Sequence, residues 1–206
     1  MTGRIGRNTM TSTPRFDKNR KERILEAAAH LIAERGVHAV RVSDIAKRIG
    51  TTTGTVHYYF PFKDDVLQAA IEWAVETAFS RQDETLKGLI TAKEKILRAI
   101  EIQLPSTDQA RDEWSIWLQY WSEASLRPEL QAAHLKLNHR WRQLLVQIVE
   151  DGQREGEFQP VDPVVFIDHM QALFNGLGIE VLVGASDLDH MRKIMTEYLK
   201  QDLFAN

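Results

Sequence analysis

The sequence predicts an all-α protein: an N-terminal three-helix helix-turn-helix domain, followed by a larger helical domain, with about nine helices in all. Three observations support this prediction. Apolar residues recur at spacings of three and four from Ile24 to Leu199, and no alternating pattern typical of a strand persists. A glycine near position 50 separates two short helical segments. Basic residues are concentrated in the first 63 positions.

The charge of the chain is divided unevenly along its length. The net charge is −3, yet residues 1–63 hold 12 Lys and Arg against five Asp and Glu, a net +7, which leaves −10 for the remainder. A basic N-terminal third on an acidic remainder indicates that one end of the protein meets a polyanion. Ordinary solvated surface would explain such a cluster equally well if it stood alone. Here the cluster coincides with the helix-turn-helix, which favours a nucleic acid.

Composition excludes several classes of function. The chain has no cysteine, which rules out disulfides, thiolate nucleophiles and zinc–cysteine sites. It has no apolar run of about 18 residues and no signal-peptide core, so we expect a cytoplasmic protein without a membrane partner. The seven histidines are scattered, and neither a phosphate loop nor a nucleophile elbow occurs. We therefore expect no enzyme, cofactor or metal site, although an all-α enzyme whose site forms only in the fold remains an alternative.

The N-terminal region divides into an arm and a helical domain. We interpret residues 1–17, rich in Gly, Thr, Ser and Arg, as a disordered basic arm. Its arginines could follow a phosphate backbone or enter a minor groove, or the arm is simply an unselected terminus. Helical periodicity then runs from Lys18 to Arg35. We accordingly predict a helix-turn-helix domain over residues 18–63 and an effector-binding and dimerisation domain over residues 64–206.

The stretch Val42–Lys63 has the signals of two short helices joined by a tight turn. We expect Ser43 to cap the first helix, and Gly50 to end it in the left-handed conformation. Thr51 or Thr52 would cap the second helix. The small, hydroxyl and aromatic side chains of this second helix suit contact with phosphates and base edges.

This stretch also resembles the DNA-binding signature of the TetR family of regulators. The residues that carry the resemblance are Ala33-Glu34-Arg35-Gly36, Ser43-Asp44-Ile45-Ala46 and Lys63-Asp64-Asp65-Val66-Leu67, and it covers about residues 20–67 without a gap. The resemblance implies a homodimeric repressor, released from a palindromic operator in double-stranded DNA by an unidentified small-molecule effector. It assigns DNA contact to Ser43, Thr53, Gly54, Thr55, His57, Tyr58 and Lys63, with Ser43 and Lys63 on phosphates. It assigns packing to Val56, Tyr59 and Phe60.

Two departures from the family pattern concern base recognition. The chain has Thr51-Thr52-Thr53-Gly54 where the family often has Val-Ser-x-Gly, and it has His57 where tyrosine is commoner. We therefore do not expect the base preference of any relative to transfer to this protein.

Beyond the second short helix, the periodicity predicts six further helices. They run from Lys63 towards Gly88, from Thr91 to near Pro105, over residues 109–125, from Pro128 to about Glu155, from Pro163 to Val183 and from Asp187 to Leu199.

An aromatic cluster marks the third of these helices. Trp114, Trp117 and Trp121 share one helical face, which is either plain core or the wall of a ligand pocket. The phrase WSIWLQYWSEASLRPEL over residues 114–130 resembles the C-terminal domain of BetI-type repressors, whose best-known member senses choline. Where that subfamily tends to have an acidic residue this chain has Asn175, which removes a carboxylate that would help to bind a cation.

The predicted pocket residues are Trp73, Trp114, Trp117, Tyr120, Trp121, Trp141, Phe174 and Asn175. A solid core behind Trp117 and Trp121 would instead favour a regulator that answers to a protein partner or to no effector.

The last two helices are the predicted pairing surface. They carry more apolar residues than one amphipathic stripe needs, and a helix that is apolar nearly all round must be buried. Gly176, Gly178 and Gly184 are costly inside a helix, which suggests close approach of another helix. The expected interface residues are Phe166, Met170, Phe174, Leu177, Val181, Met191 and Met195. In the alternative interpretation, a monomer uses this face as internal core.

Overall fold

The computed structural model describes residues 14–205, except for the side chains of residues 14–18, 129, 133, 134 and 137. Over this range the protein has nine α-helices and one short 3₁₀ helix, and its one β-type pairing is an isolated bridge between Phe158 and Phe204. The helices are α1 (Pro14–Arg35), α2 (Val42–Arg48), α3 (Thr53–Tyr59), α4 (Lys63–Lys87), α5 (Ala92–Glu101), α6 (Asp108–Ala124), α7 (Pro128–Arg154), α8 (Pro163–Leu182) and α9 (Leu188–Asp202). The predicted all-α class is confirmed.

The chain forms two compact units, with the division after Ala70. The sequence had placed this boundary after Lys63, at the start of α4. Val66, Leu67 and Ala70 are buried, so the first turns of α4 belong to the core of the first unit. Most of the predicted basic arm lies outside the described residues, and residues 14–17, which we had assigned to the arm, are the first turn of α1.

The first unit is a three-helix arrangement with a small apolar core. Helix α1 packs against α2, and α2 packs against α3. Ile24, Ile32, Ile45 and Val56 are completely buried in this unit. These four side chains come from all three helices, so burying them together fixes the orientation of α3.

Capping residues begin most of the helices where the sequence predicts them. Thr91 Oγ1 accepts the Glu94 N–H at 3.1 Å, while a Glu94 carboxylate oxygen accepts the Thr91 N–H at 3.1 Å. This reciprocal pair is a capping box. Thr107 and Asp187 likewise accept backbone N–H groups at the starts of α6 and α9, so these predicted starts are confirmed.

The second unit packs its helices around one continuous apolar core. Helix α7 contacts α5, α6 and α8, while α9 contacts α8 and α5. Leu145, Ile167, Met191 and Leu199 are almost or completely buried in this core. Among the described residues, none of the helices combines the length and the apolar character that crossing a lipid bilayer requires.

Gly178 brings α8 and α6 close together. A Cβ atom at Gly178 would lie 2.2 Å from the Trp114 ring, so any other residue there would collide with the indole. The indole N–H of Trp114 donates to the backbone oxygen of Gln103 at 2.8 Å, which fixes the ring in place. The close approach that the sequence predicts at Gly178 therefore occurs inside one chain.

Candidate nucleic-acid interface and ligand cavity

Helix α3 has one buried side and one exposed side. Val56 is completely buried and Phe60, which follows the helix, is 6% exposed, in agreement with the packing role predicted for them. The opposite side carries the exposed residues Thr53, Gly54 and His57, together with Tyr58, whose exposure is 78%. Thr55 and Tyr59 are half-buried at the edges. Most residues predicted at DNA thus share the exposed side of α3.

The start of α2 differs from the prediction, because its N-cap is Arg41 and not Ser43. Arg41 has an extended backbone, and its N–H donates to Asp44 Oδ2 at 3.2 Å. Asp44 stands three residues after Arg41, which is the spacing at which a carboxylate reaches back to the cap. Ser43 lies exposed in the first turn, so its hydroxyl faces solvent and does not cap the helix.

The turn between α2 and α3 follows the prediction. Gly50 has φ +68°, the left-handed conformation expected of it. Thr52, one of two predicted caps, accepts the Thr55 N–H at 3.2 Å. The hydroxyls of Thr52 and Thr55 are also 3.1 Å apart. Thr55 therefore stabilises the beginning of α3 from its position at the edge of the exposed side.

The imidazole of His57 is hydrogen-bonded to the backbone of Pro61, just after the end of α3. Its Nδ1 lies 3.0 Å from the carbonyl oxygen of Pro61. Because a carbonyl oxygen can only accept, the neutral ring carries its proton on Nδ1. Its Nε2 then presents an acceptor lone pair on the exposed side of α3.

Lys63 is held at the first residue of α4. Its Nζ donates to the carbonyl oxygen of His38 at 3.2 Å. An ammonium has three N–H groups, so this bond leaves donors for a phosphate. The adjacent Phe62 N–H donates to Asp65 Oδ2 at 3.1 Å, which places a carboxylate at the beginning of α4. The lysine, rather than the helix terminus, is therefore the group suited to a phosphate.

Some cations of the first unit already have partners within it. Arg48 Nη2 lies 2.5 Å from Glu34 Oε1, and this hydrogen bond lowers the pKa of the Glu34 carboxyl. Lys21 Nζ lies 5.5 Å from the centre of the Phe60 ring, within the range of a cation–π contact. The positive charge of the first unit therefore stabilises its own fold as well as offering contacts to a polyanion.

The second unit contains a cavity of about 710 Å³, a volume that includes open solvent at its mouth. Helices α4, α6, α7 and α8 supply its walls. Six aromatic side chains line it: Phe79, Trp114, Trp117, Trp121, Trp141 and Phe174.

The aromatic rings of this wall contact one another in defined orientations. Phe79 stacks on Trp141 with centroids 6.1 Å apart and meets Trp117 edge-on at 6.0 Å. Trp114 stacks on Phe174 at 5.8 Å. These separations are typical of favourable ring pairs, so the wall is already formed by contacts within the chain.

The cavity also has polar groups, and one of them is acidic. Its polar lining consists of Gln82, Gln103, Glu113, Asn138, Gln171 and Asn175. The Glu113 carboxylate accepts two hydrogen bonds of 2.7 Å from the Arg81 guanidinium. The loss of a carboxylate inferred from the sequence concerns only Asn175 on α8. Glu113 comes instead from α6.

Gln82 is the buried polar side chain of this lining. It is 7% exposed, and its Oε1 accepts no hydrogen bond from any described residue. A signal for this residue is present in the sequence. Gln82 follows Val75 by seven positions and Phe79 by three, so a polar residue occupies the buried register of α4.

Six of the eight predicted pocket residues line the cavity, and Trp73 and Tyr120 do not. Tyr120 is 1% exposed, and its hydroxyl donates to the Leu130 carbonyl at 3.0 Å, so it is a core residue. Six positions after Trp114, it points about a third of a turn away from that tryptophan. Trp73 is half-buried on α4, outside the lining.

The residues predicted for pairing are buried within their own chain. Each of the seven is 8% exposed or less: Phe166, Met170, Phe174, Leu177, Val181, Met191 and Met195. This corrects the prediction, because side chains already enclosed by one chain offer almost no surface to a second. Apolar periodicity identified them as buried but could not tell intrachain from interchain burial. The surface of α8 instead carries other residues, among them Val165, Ala172 and Gly176, and the exposed Val183 follows directly after the helix.

The described residues contain no group of three or more histidine, aspartate or glutamate side chains placed to hold a metal ion.

Comparison with known proteins assigns both parts of the chain. Residues 24–70 match the family described as bacterial regulatory proteins, tetR family, and residues 92–203 match the BetI-type transcriptional repressor C-terminal family. The regulator BetI of Escherichia coli is 23% identical over 194 residues, covering 89% of this chain and 95% of that protein. The regulator PksA of Bacillus subtilis is 22% identical over 186 residues, covering 89% of each.

A solved structure is more similar. A transcriptional regulator of Saccharomonospora viridis, crystallised in complex with choline, is 38% identical, with a TM-score of 0.87, over 92% of this chain and 100% of that one. The two family matches and this relative agree with the helix-turn-helix and the helical second unit. The chain therefore belongs to the TetR family of bacterial regulatory proteins, with a BetI-type C-terminal domain, and is a DNA-binding transcriptional regulator.

Proposed function

We propose that this protein is a homodimeric repressor that leaves a palindromic DNA site when a small organic cation of the choline class enters the aromatic cavity. The observation that carries the proposal is the ring of six aromatic side chains around this cavity. The choline complex of the 38% identical relative supports the same class of ligand.

A quaternary ammonium group suits a wall of this composition. Its charge is shielded by methyl groups and has no N–H to donate, so it binds best against the faces of aromatic rings. The indoles of Trp114, Trp117, Trp121 and Trp141 offer the most favourable of such faces. Glu113 adds a negative group to the same lining, although Arg81 compensates much of its charge.

The exposed side of α3 supports the DNA-binding part of the proposal. His57 and Tyr58 extend from it into solvent, and Lys63 follows at the beginning of α4. Two copies related by a two-fold axis would read half-sites about 34–36 Å apart, or a multiple of that distance.

The exposed face of α8 supports pairing of two chains. Val165, Ala172, Gly176 and Val183 follow one another by seven, four and seven positions, which places them on one side of the helix. A Cβ atom added at Gly176 would meet nothing within 4 Å in its own chain, so the protomer itself does not require glycine there. Glycine inside a helix costs about 0.5–1 kcal/mol, and close approach of a second α8 would explain its presence.

Release from DNA would follow from linkage between the two binding events. A ligand that binds the DNA-free conformation more tightly depletes the DNA-bound one, and the effect is reciprocal. A coupling of about 1–3 kcal/mol is typical and corresponds to roughly 5- to 150-fold in affinity.

The test begins by selecting bound sequences from a random DNA pool and labelling the enriched site with a fluorophore. Choline is then titrated against the complex while anisotropy reports release. The control is the neutral carbon analogue of choline, in which a quaternary carbon replaces the nitrogen. We expect a palindromic site, and release by choline at concentrations at least about tenfold lower than by the analogue. Equal potency would refute the cationic class, and failure to enrich a palindrome would refute the dimeric repressor.

A regulator without a small-molecule effector is the second candidate. A solid core behind Trp117 and Trp121 would support this candidate, but both residues line the cavity.

A further inference from the structure

We infer that the side-chain amide of Gln82 binds a hydroxyl group of the ligand, so that the cavity selects cationic alcohols over cations without a hydroxyl. This inference rests on the proposed function, because it concerns the same cavity. It goes further in stating which second chemical group the ligand carries besides its cationic head.

The position of Gln82 is the first support. Its side chain lies in the cavity lining and is 93% buried, and Oε1 accepts no hydrogen bond from any described residue. A buried amide oxygen without a donor is unfavourable, because it has lost its contact with water and gained nothing in return. A ligand that brings a donor to this amide removes that penalty when it binds.

Two other polar groups of the lining, Gln103 and Glu113, already have hydrogen-bond partners. Gln103 donates from Nε2 to the Ala99 carbonyl oxygen at 2.9 Å, and its backbone oxygen accepts the Trp114 indole N–H. Glu113 accepts both hydrogen bonds from Arg81. A hydroxyl at Gln82 satisfies a buried oxygen that has no donor, whereas Gln103 and Glu113 already have hydrogen-bond partners within the chain.

The chemistry of an amide favours a hydroxyl in particular. A hydroxyl both donates and accepts, so it satisfies the amide of Gln82 whether oxygen or nitrogen faces the ligand. A carboxylate only accepts, and it would leave the amide oxygen without a donor. An alkyl group does neither. The aromatic wall holds the cationic head of all three kinds of ligand, and Gln82 distinguishes the group at the other end.

The experiment compares two ligands of nearly equal size in two proteins. Choline and n-propyltrimethylammonium differ by a hydroxyl in place of a methyl group. Their dissociation constants are measured by calorimetry with the wild-type protein and with Gln82→Met, which removes the amide but retains the length of the side chain. We expect wild type to prefer choline, and the preference to fall about 3- to 10-fold in the variant, as expected for one neutral hydrogen bond.

A matched variant tests whether the effect is specific to this amide. Gln103→Met removes an amide of the same cavity that is already bonded, so it should change both affinities by a similar factor. The two dissociation constants in wild type and the two in Gln82→Met form a double-mutant cycle, which isolates the contact between Gln82 and the hydroxyl. Circular dichroism and DNA affinity confirm that each variant is folded, and Gln82→Leu replaces Gln82→Met if the latter is not.

The outcomes separate this inference from the proposal on which it rests. If the preference for choline is undiminished in Gln82→Met, the inference is wrong and the cationic ligand class stands. If Gln103→Met reduces the preference as much as Gln82→Met does, Gln82 is not the specific partner. If neither ligand binds the wild-type protein, both the ligand class and the inference are refuted.

Discussion

Arg81 on α4 and Glu113 on α6 face each other beside the aromatic cavity, joined by two hydrogen bonds of 2.7 Å. The paired geometry orients the carboxylate, and the hydrogen bonds to Glu113 raise the pKa of the Arg81 guanidinium above its usual value. The cavity therefore holds a carboxylate whose charge is largely balanced. That balance predicts how the cavity responds when either partner is removed.

Arg81→Met should raise the affinity for choline several-fold, because Glu113 would then present an uncompensated negative charge. The same change should lower the free energy of unfolding by about 1 kcal/mol, a modest amount since the pair is partly exposed. Glu113→Gln should weaken choline binding. Calorimetry and thermal unfolding measure the two effects. Unchanged choline affinity in both variants would show that the ligand does not sense Glu113.

Gln82→Met should stabilise the ligand-free protein. The substitution removes a buried oxygen without a donor and retains an apolar side chain of similar length in the same space. We expect the free energy of unfolding to rise by up to about 1 kcal/mol, measured by denaturant titration. Gln103→Met should instead lower the free energy of unfolding, because it removes the hydrogen bond to the Ala99 carbonyl oxygen. A destabilised Gln82→Met protein would indicate that the amide has a structural partner.

Substitutions on the exposed face of α8 should separate the two protomers. Ala172→Arg introduces a long charged side chain on this face, while Glu150→Arg makes a comparable change at an exposed position of α7. Analytical ultracentrifugation should give a monomer for the first variant and a dimer for the second.

Met191→Ala adds a further control, because Met191 is completely buried. It should lower the free energy of unfolding by about 2–5 kcal/mol without acting directly on pairing.

Lys63→Ala and His57→Ala should weaken DNA binding in different ways. Loss of a phosphate contact at Lys63 should reduce affinity for all sequences and lower the salt slope by about one unit. His57 presents Nε2 as an acceptor, which suits the amino group of cytosine or adenine. Its replacement should alter sequence preference and leave the slope unchanged. Salt titrations on the selected site and on a scrambled site test both expectations, and an unchanged slope for Lys63→Ala contradicts the phosphate role.

The ion pair between Arg142 on α7 and Asp168 on α8 should make stability depend on acid pH. The guanidinium of Arg142 lowers the pKa of the Asp168 carboxyl below its ordinary value of 3.8. The contribution of this ion pair to the free energy of unfolding is therefore complete above pH 3.8. It is lost as the pH falls through the lower pKa that Asp168 has in the folded protein. As the pH falls from 7 to 2, the melting temperature should decline less in Asp168→Asn than in wild type. Arg142→Met should behave likewise, and parallel curves for all three proteins would contradict this origin.

Local signals in the sequence were enough to predict where most helices begin. Thr52, Thr91, Thr107 and Asp187 cap the helices expected of them, because a side-chain oxygen and the next turn are all that a cap requires. Ser43 failed as a cap for a local reason too. Asp44 stands at the position from which a carboxylate reaches the N–H of Arg41, and the helix therefore begins two residues earlier than predicted.

Predictions that depend on the packing of several helices were less complete. The sequence identified Met191 and Met195 as buried, but periodicity does not reveal which chain buries them. It placed Tyr120 with the tryptophans by proximity in sequence, whereas its hydroxyl is taken by the Leu130 carbonyl. Glu113 and Gln82 were missed because their importance depends on a cavity formed by four helices.

The close approach of Gly178 to Trp114 has a consequence for the shape of the cavity. A side chain at position 178 would occupy the space of the indole, so the two positions cannot change independently. In this chain even Gly178→Ala would displace the Trp114 ring, and with it one wall of the cavity. Gly178, which does not itself line the cavity, thus determines the shape of one of its walls.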